Sequence, residues 1–304
     1  PGQVVVDIKA TGISFPDVLI VQGLYQFKPP FPFSPGSEIS GVVSSVGEGV
    51  TMHKEGDRVM GSIGSGGLRE KGVYLEQQLM PLPETMDFNT AAGFPLNYGT
   101  TYHAFKQRGE LKAGQSVLVL GAGGGLGITA IHIAKAMGAK VIAAASSQEK
   151  IDLCKKEGAD EGIIYEREMD RDLQKKFSDQ IKEVTGGGVD MIYDLVGGDY
   201  AEPALRAIAR HGKYLVIGFT AGIPKMPLNL TLLKECQIVG VFWGQFAGVE
   251  YAENQQNFKE LFDLHAEGKI KPFVTETYSL DESATAIKTL EDRKVLGKVV
   301  VSME

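Results

Sequence analysis

The chain has 304 residues, 43% of them hydrophobic and 23% charged, with a formal net charge of −7. That length suffices for two domains with separate cores, and a mildly acidic balance argues against nucleic acid as the main partner. No apolar run approaches a bilayer-spanning length and no secretory signal opens the chain, so no membrane partner is expected. The two cysteines, Cys154 and Cys236, suit a reducing compartment and read as simple thiols rather than a disulfide framework. Pro1-Gly2 stands just before a strand pattern, which reads as the interior of a domain and a trimmed N-terminus. A cytoplasmic location is expected, or a mitochondrial one if a targeting peptide once preceded Pro1.

Residues 1–90 read as all-β: VVVDIKA, ISGVVSSVG, DRVMGSI and GVYLEQQLM alternate with turn-rich PPFPFSPGSE and GEGVTMHKEGD. PLPETMDFNTAAGF (81–94) changes character, and NYGTTYHAFKQRGEL reads as a helix. Strands and helices then alternate. SVLVL (116–120), KVIAAA (140–145), GIIY (162–165), VDMIYDLVG (189–197), GKYLVIGF from Gly212 and CQIVGVF (236–242) are the strands. IDLCKKEG, DLQKKFSDQIKEV and AEPALRAIAR are helices between them. This alternation predicts a doubly wound parallel sheet, that is, a Rossmann fold. After 246 come a helix (NQQNFKELFDLHAEGKI), PFVTETYSL, a short helix and a last strand, GKVVVSM. These pieces lack a sheet of their own and are expected to return to the N-terminal β domain. The expected domains are therefore 1–95 with 246–304, and 96–245.

Residues 116–147 form one strand–turn–helix–strand unit, with GAGGGLG (121–127) as a turn too tight for side chains. Such a turn puts backbone N–H groups and a helix N-terminus against a pyrophosphate. Counting back from Gly127 places Gly124 and then Ala122 at the glycine positions, an AxGxxG variant of the dinucleotide fingerprint. A glycine-rich loop alone is weak; the strand before it and the helix and strand after it carry the assignment. NAD-binding domains usually end the second strand on Asp or Glu. Here Ser146 and Ser147 stand there, with Lys150 nearby, and hydroxyls with an ammonium favour a 2′-phosphate and hence NADPH. Lys150 equally opens a solvated helix face with Lys155 and Lys156.

Taken together, GISFPDVLIVQGLY, PFSPGSEISGVVSSVGEGV, KEGDRV, NYGTTYHAF, GAGGGLG, VTGGGVDMIYDLVGG and LGKVVV resemble the medium-chain dehydrogenase/reductase superfamily, in its zinc-free quinone oxidoreductase branch. The resemblance covers essentially the whole chain. It implies a GroES-like β domain, a Rossmann domain and an active cleft between them. Zinc-dependent members carry a Cys in the first motif and a His-Glu pair in the second. Here those places read Gly12-Ile13-Ser14 and Gly36-Ser37-Glu38, the four cysteines of a structural zinc are absent, and the five histidines lack ligand spacing. No metal is expected.

The resemblance also implies Gly124, Gly125, Leu126 and Gly127 at the pyrophosphate, beside Ala122, and Ser146, Lys150 and Tyr165 around the 2′-phosphate. Phe219, Phe242 and Trp243 should border the nicotinamide half. Tyr25 is implied as a cleft hydroxyl and Thr100 as a neighbour of the nicotinamide, while Ser14 and Leu19 depart from the family pattern. Tyr25 reads equally as a packed aromatic beside Phe27 and Phe31, and Tyr165 equally as core. Without a Lewis acid, hydride transfer suits an acceptor that is already electrophilic, a quinone or related conjugated carbonyl. An enone or enoyl-thioester reductase and a non-catalytic NADPH-binding protein are the alternatives. A homodimer through the strand near 236–242 is implied.

Overall fold

The computed structural model describes residues 1–272, 274–292 and 295–303, so four residues of the expected 246–304 segment lie outside it. The chain divides into two compact units, Pro1–Asn97 with Pro272–Glu304 and Tyr98–Lys271.

The first unit is built on β1 (Gln3–Ile13), whose alternating Val4, Val6, Ile8 and Ala10 are buried. A short helix, α1 (Phe15–Val21), follows, then β2 (Glu38–Val46), β3 (Arg58–Ser62), β4 (Lys71–Leu75) and β5 (Leu79–Pro81). β2 pairs with β1 along its length, while β4 takes Gln3–Asp7 of the opposite edge. A core of Val4, Val6, Ile8, Ile39, Val43, Val59, Tyr74 and Leu79 forms where these strands turn one face inward. Helix α2 (Phe88–Ala92), capped by Asp87, lies on β1 so closely that a Cβ on Gly12 would sit 2.1 Å from the Ala92 carbonyl oxygen. Helix α3 (Pro95–His103) begins in this unit, which ends at Asn97, and continues in the second, running on into one wider turn at Ala104–Gly109, as the single long helical pattern predicts.

The second unit carries β6 (Ser116–Leu120), α4 (Gly125–Ala136), β7 (Lys140–Ala145), α5 (Gln148–Lys156), β8 (Glu161–Ile164) and α6 (Arg171–Thr185). It continues with β9 (Val189–Asp194), α7 (Ala201–Arg206), β10 (Ile208–Val216), α8 (Asn229–Lys234), β11 (Gln237–Gly240), α9 (Trp243–Val249) and α10 (Tyr251–Ala266). The six strands are parallel in the order β11-β10-β9-β6-β7-β8. This is the doubly wound arrangement, with its reversal of strand order between β6 and β9. β6, β7 and β9 carry buried apolar runs (117–120, 141–145 and 191–193) because helices cover both faces. The expected helix AEPALRAIAR ends at Arg206, since Ile208 already pairs with Val189 in the sheet.

The chain leaves this unit at Lys271 rather than at 246. α10 stays because Phe258 and Leu261 are buried, its Asn254 accepts the Trp243 indole N–H at 2.9 Å, and its Glu260 takes Lys106 and the Tyr102 hydroxyl at 2.6 Å. The return to the first unit comes with β12 (Glu276–Ser279), α11 (Ser283–Glu291) and β13 (Val299–Ser302). β13 adds to the Ala10–Ile13 half of β1, and β12 pairs with β13. No helix among the described residues is long and apolar enough to cross a membrane.

Candidate functional site

In the second unit the glycine turn leaves β6 at the reversal of strand order, where open α/β sheets bind ligands. Gly121 has φ 77°, the left-handed conformation that favours glycine, and its N–H and that of Ala122 both donate to the Ala144 carbonyl at 3.1 and 3.0 Å. Ala122 is fully buried with its amide spent on the sheet, so it offers a ligand neither side chain nor N–H. The tight-turn role expected at Ala122 therefore falls to Gly121, and the working spacing is 121, 124 and 127. Gly124 caps α4 with extended backbone, and Gly125, Leu126 and Gly127 form the first turn. Their N–H groups have no carbonyl four residues back and collect the positive end of the helix dipole. A Cβ on Gly127 would lie 2.5 Å from the carbonyl oxygens of both Gly121 and Ala122, so α4 seats against the turn only because that position is glycine. Gly124, Gly125 and Leu126 are partly exposed. Backbone donors, dipole and bare glycine surface fit a pyrophosphate.

β7 ends at Ser146 and Ser147, which serve differently. The Ser147 hydroxyl caps α5 by accepting the Lys150 amide at 3.3 Å, whereas the half-buried Ser146 hydroxyl has no protein partner among the described residues. The Lys150 stem lies over Gly123, where an added Cβ would come within 3.0 Å of three of its carbons. Burial and then the neighbouring Arg167 guanidinium hold the Lys150 ammonium below its usual pKa. Tyr165 follows β8, with its amide on the Ala145 carbonyl at 3.0 Å and its ring against Tyr200 at 4.7 Å and Phe177 at 5.9 Å. Ser146 and Tyr165 thus directly follow adjacent strands, and Lys150 stands in the first turn of α5.

Beyond β9 and β10 a second set of loops is locked together. Asp194, buried, accepts the Val196 and Gly197 amides at 2.8 and 2.9 Å and the Tyr214 hydroxyl at 2.6 Å. Burial pushes its carboxyl above the usual range. Gly198 N–H donates to the Gly222 carbonyl at 2.7 Å, and Ala221 N–H to that of Val196 at 2.8 Å. Phe219 stands on this clamp, 42% exposed. The clamp was missed in the sequence, although the DLVGG run, with an Asp before two glycines, is its signal. Phe242 is 61% exposed, but Trp243 is 5% exposed and packs on Gly99, where an added Cβ would meet the indole at 2.6 Å. Its N–H donates to Asn254. Trp243 is therefore a core residue tying α3, α9 and α10, which corrects its expected place beside a ligand. Thr100 is half-buried on α3, while its neighbour Thr101 bonds the Tyr193 hydroxyl at 2.9 Å within the core.

In the first unit the places where a metal-dependent relative would carry ligands are filled by a closed polar network. Lys298 Nζ lies 2.6 Å from both Glu38 Oε1 and Ser14 Oγ, and Glu38 Oε2 accepts the Leu96 amide at 2.8 Å. Asp17 accepts the Ser14 and Gly36 amides at 2.9 and 3.1 Å and the Ser37 hydroxyl at 3.2 Å. Burial nonetheless raises the Asp17 carboxyl to about 6. Lys298 is the member that sequence reading missed; in LGKVVV it resembles an ordinary surface lysine. No group of three His, Cys, Asp or Glu among the described residues could hold a metal ion. Tyr25 is half-buried in the same unit, its phenol pushed up by burial and then by the Asp17 charge.

Comparison with known proteins agrees with both units. Residues 1–84 match the alcohol dehydrogenase GroES-like domain, and residues 125–267 match the family described as zinc-binding dehydrogenase. The cow protein named quinone oxidoreductase-like protein 2 is 36% identical over all of this chain and 86% of its own length. The rat quinone oxidoreductase is 33% identical over 98% of this chain and 88% of its own. The Escherichia coli quinone oxidoreductase complexed with NADPH superposes with a TM-score of 0.90 at 31% identity, covering 99% of this chain and 91% of that one. The similarity spans both units at once, and the chain belongs to the zinc-free quinone oxidoreductase branch of the medium-chain dehydrogenase/reductase superfamily.

Proposed function

We propose that the protein is an NADPH-dependent, zinc-independent reductase of quinones or related conjugated carbonyls. The observation that carries this reading is the pairing of a glycine-seated helix N-terminus with Ser146, rather than a carboxylate, directly after β7, and with Lys150 beside Glu149 in the first turn of α5. NADPH, when bound, supplies the hydride. The amides of Gly125, Leu126 and Gly127 bind the pyrophosphate, with Gly124, whose own amide donates to the Gly121 carbonyl at 3.3 Å, giving it bare surface, and Ser146, Lys150 and Tyr165 take the 2′-phosphate. Phe219 and Phe242 present apolar surface to the nicotinamide half and exclude water. Thr100 and the Tyr25 hydroxyl are the proposed polar groups for nicotinamide and acceptor oxygen. With burial holding its proton, Tyr25 acts as a hydrogen-bond donor to the acceptor rather than as a base. The network of Ser14, Glu38 and Lys298 supports metal independence, because a cation already neutralises the buried carboxylate there.

A homodimer in a reducing compartment such as the cytoplasm completes the reading. It is supported by β11, an edge strand of the parallel sheet, and by Leu228, Leu232 and Leu233 on or beside α8, each at least 69% exposed. The experiment is NADPH oxidation against a panel of ortho-quinones, enones and enoyl thioesters, after a binding titration. Turnover confined to enoyl thioesters would replace the acceptor class; tight NADPH binding without turnover on any of them would sink the enzyme reading.

A further inference from the structure

Three side chains remote in sequence form a hydrogen-bonded chain inside the second unit. Tyr98 of α3 is buried, and its hydroxyl lies 3.1 Å from His132 Nδ1. His132, in the second half of α4, places Nε2 2.9 Å from Glu157 Oε2. The imidazole is 6% exposed, while Glu157, at the end of α5, is 19% exposed and reaches solvent. A carboxylate only accepts hydrogen bonds, so the ring proton belongs on Nε2, and Nδ1 accepts from the Tyr98 hydroxyl. The chain therefore needs a neutral imidazole. Burial holds the His132 pKa below the ordinary histidine value, against the pull of Glu157 and with the help of the Lys271 ammonium. Tyr98, Glu157 and Lys271 are the titratable groups facing the ring among the described residues.

The remaining anchors of α3 run elsewhere: Thr101 bonds Tyr193 of β9, and Tyr102 bonds Glu260 of α10. The Tyr98 bond ties α3 to α4 and α5, whose first turns carry Gly125, Leu126, Gly127 and Lys150. Protonation makes both ring nitrogens donors, removes the acceptor of the Tyr98 hydroxyl and leaves a cation in the interior. We infer that His132 is a pH-sensitive positioning residue: neutral, it bridges Tyr98 to Glu157 and holds α3, with Thr100, against α4 and α5; protonated, it releases that link. The part played by Thr100 rests on the reductase reading above, whereas the bridge does not. Because the fold favours the neutral ring, the bridge contributes fully above about pH 6.5 and is lost as pH falls through the lower value of the folded state.

Trp243 is the chain's only tryptophan and packs on Gly99, next to Tyr98, so its emission reports the placement of α3 without turnover. The test follows that emission, the unfolding midpoint and NADPH oxidation by an ortho-quinone from about pH 8 to about pH 5. It compares the native protein with His132→Gln, whose amide offers the same acceptor and donor but does not titrate, and with His132→Leu. At about pH 8, His132→Gln should keep kcat within about twofold, whereas His132→Leu should lose about fivefold in kcat with the KM for NADPH moved less than about twofold. As pH falls, the native emission and midpoint should approach those of His132→Leu, while His132→Gln stays apart. The same pH profile in the native protein and His132→Gln, or a native kcat in His132→Leu, would overturn the inference. Should His132→Leu fail to fold, the other two profiles decide. A protein that turns over no acceptor would overturn the reductase reading and leave emission and midpoint to decide the bridge.

Discussion

Lys298 Nζ meets Glu38 Oε1 at 2.6 Å with both side chains almost entirely out of solvent. A buried pair of this kind adds little net stability, but removing one partner strands a charge in the interior. Lys298→Met should therefore cost about 3–5 kcal/mol in denaturant unfolding. The double variant Lys298→Met with Glu38→Gln should recover much of that loss. A single variant within about 1 kcal/mol of the native protein would show that losing this lysine strands no buried charge.

The seating of α4 depends on position 127. Because a Cβ there meets two carbonyl oxygens at 2.5 Å, Gly127→Ala should push the helix from the turn and weaken NADPH at least about tenfold. Ala122→Gly, at a fully buried position with its amide spent, should cost about 1 kcal/mol of stability while changing affinity little. Titration of both variants shows whether coenzyme affinity depends on Gly127 and not on Ala122.

The two serines after β7 should separate. Ser147→Ala removes a helix cap and should lower stability by about 1 kcal/mol, read from the unfolding midpoint. Ser146→Glu places a carboxylate where the 2′-phosphate is proposed to sit and should reverse the coenzyme preference toward NADH. An unchanged NADPH-to-NADH ratio would remove Ser146 from the site.

Asp17 gives a pH signature. Its carboxyl is raised from 3.8 to about 6, so the folded state holds a proton that the unfolded state releases in that window. Its contribution is complete below the unfolded value and is lost as pH rises through about 6. On the order of 3 kcal/mol is at stake. The stability gap between the native protein and Asp17→Asn should shrink between pH 4 and pH 6.5, roughly, and level off above. A gap that widens over that range would show that the three donors outweigh burial.

The exposed leucines bear on assembly. Leu232→Asp lies at 77% exposure and should leave a monomer's fold untouched. If the proposed dimer forms through this face, sedimentation will show the variant shifted to monomer; an unchanged dimer would move the interface elsewhere.

Much of the architecture was legible in order and type of element. The apolar runs of β6, β7 and β9, the glycine turn and the helix after it follow from local chemistry, since a strand covered on both faces is mostly apolar. The place where the chain leaves the second unit was not legible, because α10 is kept there, besides the nearby Trp243, by Tyr102 and Lys106, far away in sequence. The same holds for Trp243 itself: an indole after the last strand looks available until Gly99 and Asn254 enclose it.

By itself, then, the sequence determined the two folding patterns, the helix N-terminus built on glycine, and a serine rather than a carboxylate directly after β7, all written in neighbouring residues. The tertiary structure decided which glycine turns, which serine is spent as a cap, and that Lys298 and Glu38 share one buried charge pair 260 residues apart. Burial and hydrogen-bond partnership are properties of surroundings, and segments remote in sequence supply those surroundings only when the chain folds.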